Sequence, residues 1–255
     1  MTPLVFLPGW CVGRGPLNAA VNAQNGLIFD LPGYGSAPLI TDFYAAADDI
    51  AARLPPGSTL IGWSLGAQLA IAIAARAPQK VGKLVLIAGT TSFVQRNGWP
   101  HAMAPEMLAD FATGVAADIE AMLPRFVGGF NRGDARAKAV TSELLELADA
   151  RPSGDVLATG LIWLRDVDLR PLAPQIKAST LLIHGGRDSL VYLRQSQMLS
   201  AQLIKKQVPH FLLQLPWTEH GGDITVYGPT GVLSAWAIES FIENQSGEAR
   251  DLTPL

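Results

Sequence analysis

A chain of 255 residues in which 49% of side chains are apolar can bury one sizeable core, which excludes a disordered polymer and favours one α/β domain carrying an insertion. Its net charge of −3, from 19 Lys and Arg against 22 Asp and Glu, excludes the broad basic face that phosphate backbones demand, so nucleic acid is not expected as a partner. The single cysteine, Cys11, excludes an intrachain disulfide framework and fits a reducing compartment.

The opening MTPLVFLPGW has no basic segment ahead of its apolar residues and runs directly into a turn, so no signal peptide is expected. The longest wholly apolar run, LAIAIAA at 69–75, is far short of the roughly 20 residues that span a bilayer. A cytoplasmic protein without a membrane partner is expected.

In chain order, short apolar runs ending in Gly, Pro or Asp occur at 3–9 (PLVFLPG), 26–33 (GLIFDLPG), 58–64 (STLIGWS), 83–89 (KLVLIAG), 179–186 (STLLIHGG) and 210–216 (HFLLQLP). These read as buried parallel strands. Helical patterns at 42–54 and 66–77 lie between them and give the βαβ alternation of a doubly wound sheet. The alternation stops between the fourth and fifth strands. There, 103–126 and 135–150 carry apolar residues three and four apart with charges between, the pattern of helices without a strand. The expected architecture is an α/β, mostly parallel, doubly wound sheet of about six strands. Residues 1–89 and 179–255 form its core, and 90–178 form a helical lid over the carboxyl edge. The polar tail GEARDLTPL is expected to fray.

Gly62, Ser64 and Gly66 form G-x-S-x-G between an expected strand and an expected helix, the context in which this motif presents a nucleophile. Glycines two before and two after permit a turn tight enough to strain its apex and leave the hydroxyl uncrowded. The helix start then offers N–H groups and a favourable dipole to a developing oxyanion. The competing reading is a helix N-cap serine beside packing glycines.

A serine alone is too weak an acid to attack an ester and needs a base, itself oriented by a third group. Of the four histidines, His220 follows the last strand in LPWTEHGG, at the carboxyl edge where open sheets bind ligands, and is the expected base. His184 reads as a packed strand-end residue, His210 begins a strand at the opposite edge, and His101 lies in the insertion. Asp188, in HGGRDSLV just after a strand, is the expected acid, giving the chain order Ser, Asp, His. Asp166 and Asp168 look like surface or hinge acids, and Asp223 is too close in sequence to His220. The amide of Trp10, in the loop after the first strand, and that of Leu65, after the nucleophile, are the expected oxyanion donors.

With these residues in place the chain resembles the α/β-hydrolases and, more narrowly, the BioH-type carboxylesterases that cleave the methyl ester of pimeloyl-[acyl-carrier protein] in biotin synthesis. The likeness covers most of the chain and extends to PGWCVG, DLPGYGSA, LIGWSLGAQLA, NGWPHAMAPEMLADF, PRFVGGF and LIWLRDVDLRPL. It implies an α/β-hydrolase fold in which Trp10, Ser64, Leu65 and His220 line the reacting end. The segment Phe126, Val127, Gly128, Gly129 and Phe130 would border the acyl chain. Arg125, Arg132 and Arg136 match basic lid positions that such enzymes turn toward an acidic carrier protein; composition alone reads them as a solvated helix face. No metal or organic cofactor is implied. Three departures stand out: Pro8-Gly9 replaces the usual His-Gly before the oxyanion Trp, the antiparallel hairpin that normally opens the fold is expected to be absent because the first apolar run reads as a parallel strand, and a Gly-rich GGDITVYGPTG follows His220.

Two other functions remain open from the sequence. One is hydrolysis of a small free ester, an enol-lactone or a carbon–carbon bond, because the same triad serves all three. The other is a catalytically idle ligand receptor on the same scaffold, against which the intact Ser64, Asp188 and His220 argue.

Overall fold

The computed structural model describes residues 2–130, 137–149, 151–215 and Phe241. His220, Asp223, Arg132 and Arg136 lie outside the described residues, as do the side chain of Phe130, the Gly-rich loop and the polar tail.

All six expected strands form: β1 (Leu4–Leu7), β2 (Leu27–Ile28), β3 (Ser58–Trp63), β4 (Val81–Ile87), β5 (Ser179–Gly185) and β6 (His210–Leu215). They make one sheet in the order β2-β1-β3-β4-β5-β6, and every neighbouring pair is parallel. β2 contributes only two residues at the edge. β3 is buried along its whole length, which is why it reads as a continuous apolar run rather than an alternation.

Between the strands run α1 (Asn18–Ala23), α2 (Phe43–Arg53), α3 (Leu65–Arg76) and α8 (Leu193–Lys205). Asp42 starts α2 by accepting a hydrogen bond from the Ala45 amide at 2.7 Å, which satisfies one of the otherwise orphaned N–H groups. Every residue of α3 from Leu65 to Ala75 is buried, so the helix packs on all sides. Each fully buried Leu or Ile there contributes about 1.5–3 kcal/mol.

Among the described residues, four α-helices lie between β4 and β5: α4 (Pro105–Ala117), α5 (Ile119–Phe130), α6 (Ala137–Leu147) and α7 (Gly154–Asp166). The continuous pattern at 103–126 therefore divides in two. Asp118 leaves the helical conformation and its carboxylate accepts from the Ala121 amide at 3.0 Å, ending one helix and capping the next. Among the described residues no helix is long and apolar enough to cross a membrane.

From β1 the chain moves outward to β2, while β3 lies on the other side of β1. That reversal opens a crevice at the carboxyl ends of β1 and β3, the place where open α/β sheets bind ligands. The loop carrying Trp10 leaves β1 at this point and the turn carrying Ser64 leaves β3 beside it.

Candidate active site

Ser64 joins β3 to α3 with φ 55° and ψ −115°, a left-handed conformation that costs a residue with a side chain about 1–3 kcal/mol. Its amide donates to the Ile87 carbonyl on β4 at 3.0 Å, and its own carbonyl accepts from Ala67 at 3.0 Å, so it ends the sheet ladder and begins the helix at once. The turn needs its flanking glycines. A Cβ on Gly62 would lie 2.7 Å from the Cα of Ala67, and one on Gly66 would lie 2.5 Å from the Pro8 carbonyl oxygen. The Ser64 side chain makes no capping hydrogen bond to α3. That removes the observation on which an N-cap reading would rest.

Neither the Trp10 amide nor the Leu65 amide has an acceptor among the described residues. Both belong to the segments that meet at the switch point. Burial makes such donors valuable to a developing negative charge, because no water competes for them. The Trp10 indole is fixed separately: its Nε1 donates to the Leu157 carbonyl of α7 at 3.0 Å. Its ring packs edge-on against Phe111 and Phe126, with centroids at 5.7 and 5.4 Å, and those two phenyl rings stack on each other at 4.8 Å.

Asp188 lies in the loop after β5 and is buried. Its Oδ1 accepts from the amides of Leu190 at 2.9 Å and Val191 at 2.8 Å, and its Oδ2 lies 3.6 Å from Nε2 of His184. Two backbone donors thus fix the carboxylate plane within its own turn. His184 is fully buried. Its Nε2 faces the Val191 carbonyl at 2.6 Å, which makes that nitrogen the donor, and its Nδ1 lies 2.6 Å from Ser196 Oγ. Both ring nitrogens are thereby engaged, one by the loop that carries Asp188 and the other by α8, as expected for a packed strand-end residue. His210 is bound to Ser200 and the Val208 carbonyl, and His101 is exposed.

The other two acids are spent on neighbours. Asp166 is held below the usual carboxylate range by its hydrogen bonds to Arg165, and Asp168 likewise by those to Arg170. Burial pushes the Cys11 thiol far above its ordinary value, so it offers no thiolate nucleophile at neutral pH.

A cavity of about 340 Å³ opens over this edge, with Trp10, Met103, Met107, Phe111, Met122 and Phe126 among its walls. A narrow neck next to it is bounded by Gly9, Trp63, Ser64 and Leu190. Of the segment expected to border an acyl chain, Phe126 and Gly129 line the cavity. Val127 is buried against a separate cleft with Cys11 and Leu123, and a Cβ on Gly128 would face Thr141 of α6. The exposed Arg125 stands at the cavity margin. Met103, Met107, Phe111 and Met122 were not singled out from sequence, although the apolar stripe of 103–126 carried the signal. Unbranched Met side chains give such a wall an adaptable shape.

The sequence pattern of the alpha/beta hydrolase family matches residues 4–224. The chain belongs to the alpha/beta hydrolase family. This hydrolase is 37% identical over 196 residues to the "Pimeloyl-[acyl-carrier protein] methyl ester esterase" of Shewanella woodyi, an alignment covering 74% of this chain and 76% of that protein. It is 33% identical over 216 residues to the "Biotin biosynthesis bifunctional protein BioHC" of Teredinibacter turnerae; that match covers 77% of this chain but spans only 38% of the longer relative. The hydrolase also shares its fold with the esterase EaEST from Exiguobacterium antarcticum, with a TM-score of 0.78 at 21% identity over 95% of this chain and 92% of that one.

Two substitutions test the geometry of the site. Gly66→Ala drives a methyl group into the Pro8 carbonyl, so it is expected to destabilise the fold by a few kcal/mol, the range for strain in a packed turn, as read from denaturant midpoints. Asp188→Asn is expected to lower kcat for an aryl ester by roughly 10³- to 10⁴-fold with the fold retained, while Asp166→Asn and Asp168→Asn leave it within a few-fold. Equal losses at either of the latter would show that the acid lies elsewhere.

Proposed function

We propose that the chain is a serine carboxylesterase that hydrolyses the methyl ester of pimeloyl-[acyl-carrier protein], releasing methanol and the free carboxylate for biotin synthesis. Residues 90–178 act as its lid over a core of 1–89 and 179–255, and it works in the cytoplasm without a cofactor. The observation that carries the reading is Ser64, held in a strained turn without a capping role, at the neck beside an apolar cavity. The names of the curated relatives support the substrate.

In this reading the Ser64 hydroxyl adds to the ester carbonyl carbon as His220 takes its proton. The carbonyl oxygen becomes an oxyanion that accepts from the amides of Trp10 and Leu65. Collapse breaks the bond to methoxide, which leaves as methanol with the proton returned by His220. Water, deprotonated by the same base, then cleaves the acyl-enzyme and frees Ser64. Asp188 holds the imidazole in the required tautomer and stabilises its charged form. A pimeloyl chain is an apolar rod with an ester at its far end. It fits a cavity walled by Met103, Met107 and Phe111 that narrows at Ser64, while the carrier remains outside near Arg125.

Complementation decides the substrate. The wild-type chain is expected to restore growth without biotin to a strain lacking its methyl ester esterase, and Ser64→Ala is expected to fail while folding normally. For the purified enzyme the loss in kcat is expected on the order of 10⁴-fold or more. Turnover of short free esters without growth would move the substrate to a small molecule.

Arg132 and Arg136 are four apart and share a face if their segment is helical. Replacing both by Glu is expected to raise KM for a carrier-linked ester and flatten its salt dependence, since attraction to an acidic carrier is screened beyond about 8 Å at physiological ionic strength. Hydrolysis of a short aryl ester is expected to stay unchanged. Equal losses on both substrates would assign these arginines to lid structure.

A further inference from the structure

The loop that carries the Trp10 amide is held from two sides. On the sheet side, the Cys11 amide donates to the Tyr34 hydroxyl oxygen at 2.9 Å, and the Arg14 guanidinium pairs with both carboxylate oxygens of Asp30. On the other side stands the helical insertion. The Arg14 amide donates to Asp149 Oδ2 at 2.5 Å, and the Asp149 amide donates back to the Val12 carbonyl at 3.2 Å. Asp149 thus closes a two-bond ring around Gly13.

Glycines let these surfaces approach more closely than side chains would allow. A Cβ on Gly13 would lie 2.9 Å from the Cβ of Asp149, one on Gly15 would lie 2.6 Å from the carbonyl carbon of Leu147, and one on Gly160 of α7 would lie 2.8 Å from the Trp10 Nε1. The loop between needs such support. Cys11 has φ 70° and Gly13 has φ 66°, and a left-handed residue with a side chain persists only where its surroundings over-determine it.

We infer that Asp149 is a positioning residue for the oxyanion hole: by holding residues 12–14 it fixes the Trp10 amide relative to the Leu65 amide and Ser64. The insertion then does more than cover the cavity, because the second oxyanion donor is in place only while the end of α6 is docked on the β1 loop. This rests on the proposed reading in which the Trp10 amide binds the oxyanion. Asp149 is exposed, so water can replace its hydrogen bonds when its side chain is removed. The loss is one of geometry rather than of stability.

The test compares Asp149→Ala and Asp149→Asn with wild type on a short aryl ester. A second probe is an alkyl trifluoromethyl ketone, to whose carbonyl carbon the Ser64 oxygen adds while the carbonyl oxygen becomes the oxyanion. Asp149→Ala is expected to lower kcat about 10- to 100-fold, less than the 10²- to 10³-fold of outright loss of a donor. KM is expected to stay within about twofold, and ketone affinity to fall in step with kcat/KM, as a tetrahedral mimic must. Asp149→Asn keeps both the acceptor oxygen and the backbone donor and is expected to act as wild type, with similar melting temperatures for all three proteins. The inference is overturned if Asp149→Ala keeps its kcat, if Asp149→Asn falls equally, or if kcat falls while ketone affinity does not. A wild-type chain that hydrolyses no ester would sink the esterase reading itself, whereas an active wild type matched by Asp149→Ala removes only the role of Asp149.

Discussion

The first turn of α3 lies directly against the carbonyls of Leu7 and Pro8 because Gly66 has no side chain. That contact between the end of β1 and the start of α3 places two segments distant in sequence side by side at the switch point of the sheet. One brings Ser64 and the Leu65 amide, the other the Trp10 amide. A methyl group at position 66 would separate them, and no adjustment elsewhere restores the distance, since both sides of the contact are backbone. The strain at Ser64 has the same origin. A chain that must leave a buried strand and enter a buried helix within one residue adopts φ 55° there, and the packing of β3 and α3 on every side holds it in place.

Trp10 connects that backbone contact to the cavity. Its amide lies in the loop that leaves β1, while its indole is anchored on α7 through the Leu157 carbonyl and forms a three-ring cluster with Phe111 of α4 and Phe126 of α5. Edge-on aromatic contacts of this kind contribute about 0.5–1.5 kcal/mol each beyond buried area. One residue therefore contacts three helices of the insertion as well as the sheet. The apolar cavity and the small pocket at Ser64 consequently share a common side chain.

Much of this was legible in the sequence where the cause was local. Buried parallel strands must be short and apolar, and all six runs so read became strands, although β2, at the sheet edge, is not buried as expected. The glycines around Ser64 announced a tight turn because only residues without side chains can make it. Asp188 falls in the loop after β5, where its place in the sequence put it, and the pairing of Asp166 with Arg165 and of Asp168 with Arg170 agrees with their reading as surface acids. Elements whose pattern was blurred escaped notice. α7 has glycines at both its start and its middle and is buried along most of its apolar length, so no clean stripe marks it. α8 buries Gln195 and Ser196 as well as Leu199 and Leu203, which hides its inner face. The break at Asp118 was invisible because apolar spacing continues across it, and only the hydrogen bond to the Ala121 amide ends one helix and begins the next.

The sequence by itself determined the succession of the six strands and the strained serine turn, because each depends on interactions within a few residues. Tertiary structure alone decided which apolar residues line the cavity: Leu157 and Leu164, seven apart on α7, are both buried, and the second lines it. It also decided that Asp149, two residues beyond the end of α6, grips the loop of Trp10 more than 130 positions away. An amphipathic stripe records that a face is covered but not what covers it. A hydrogen bond between distant backbones leaves no trace in sequence beyond the glycines that make room for it.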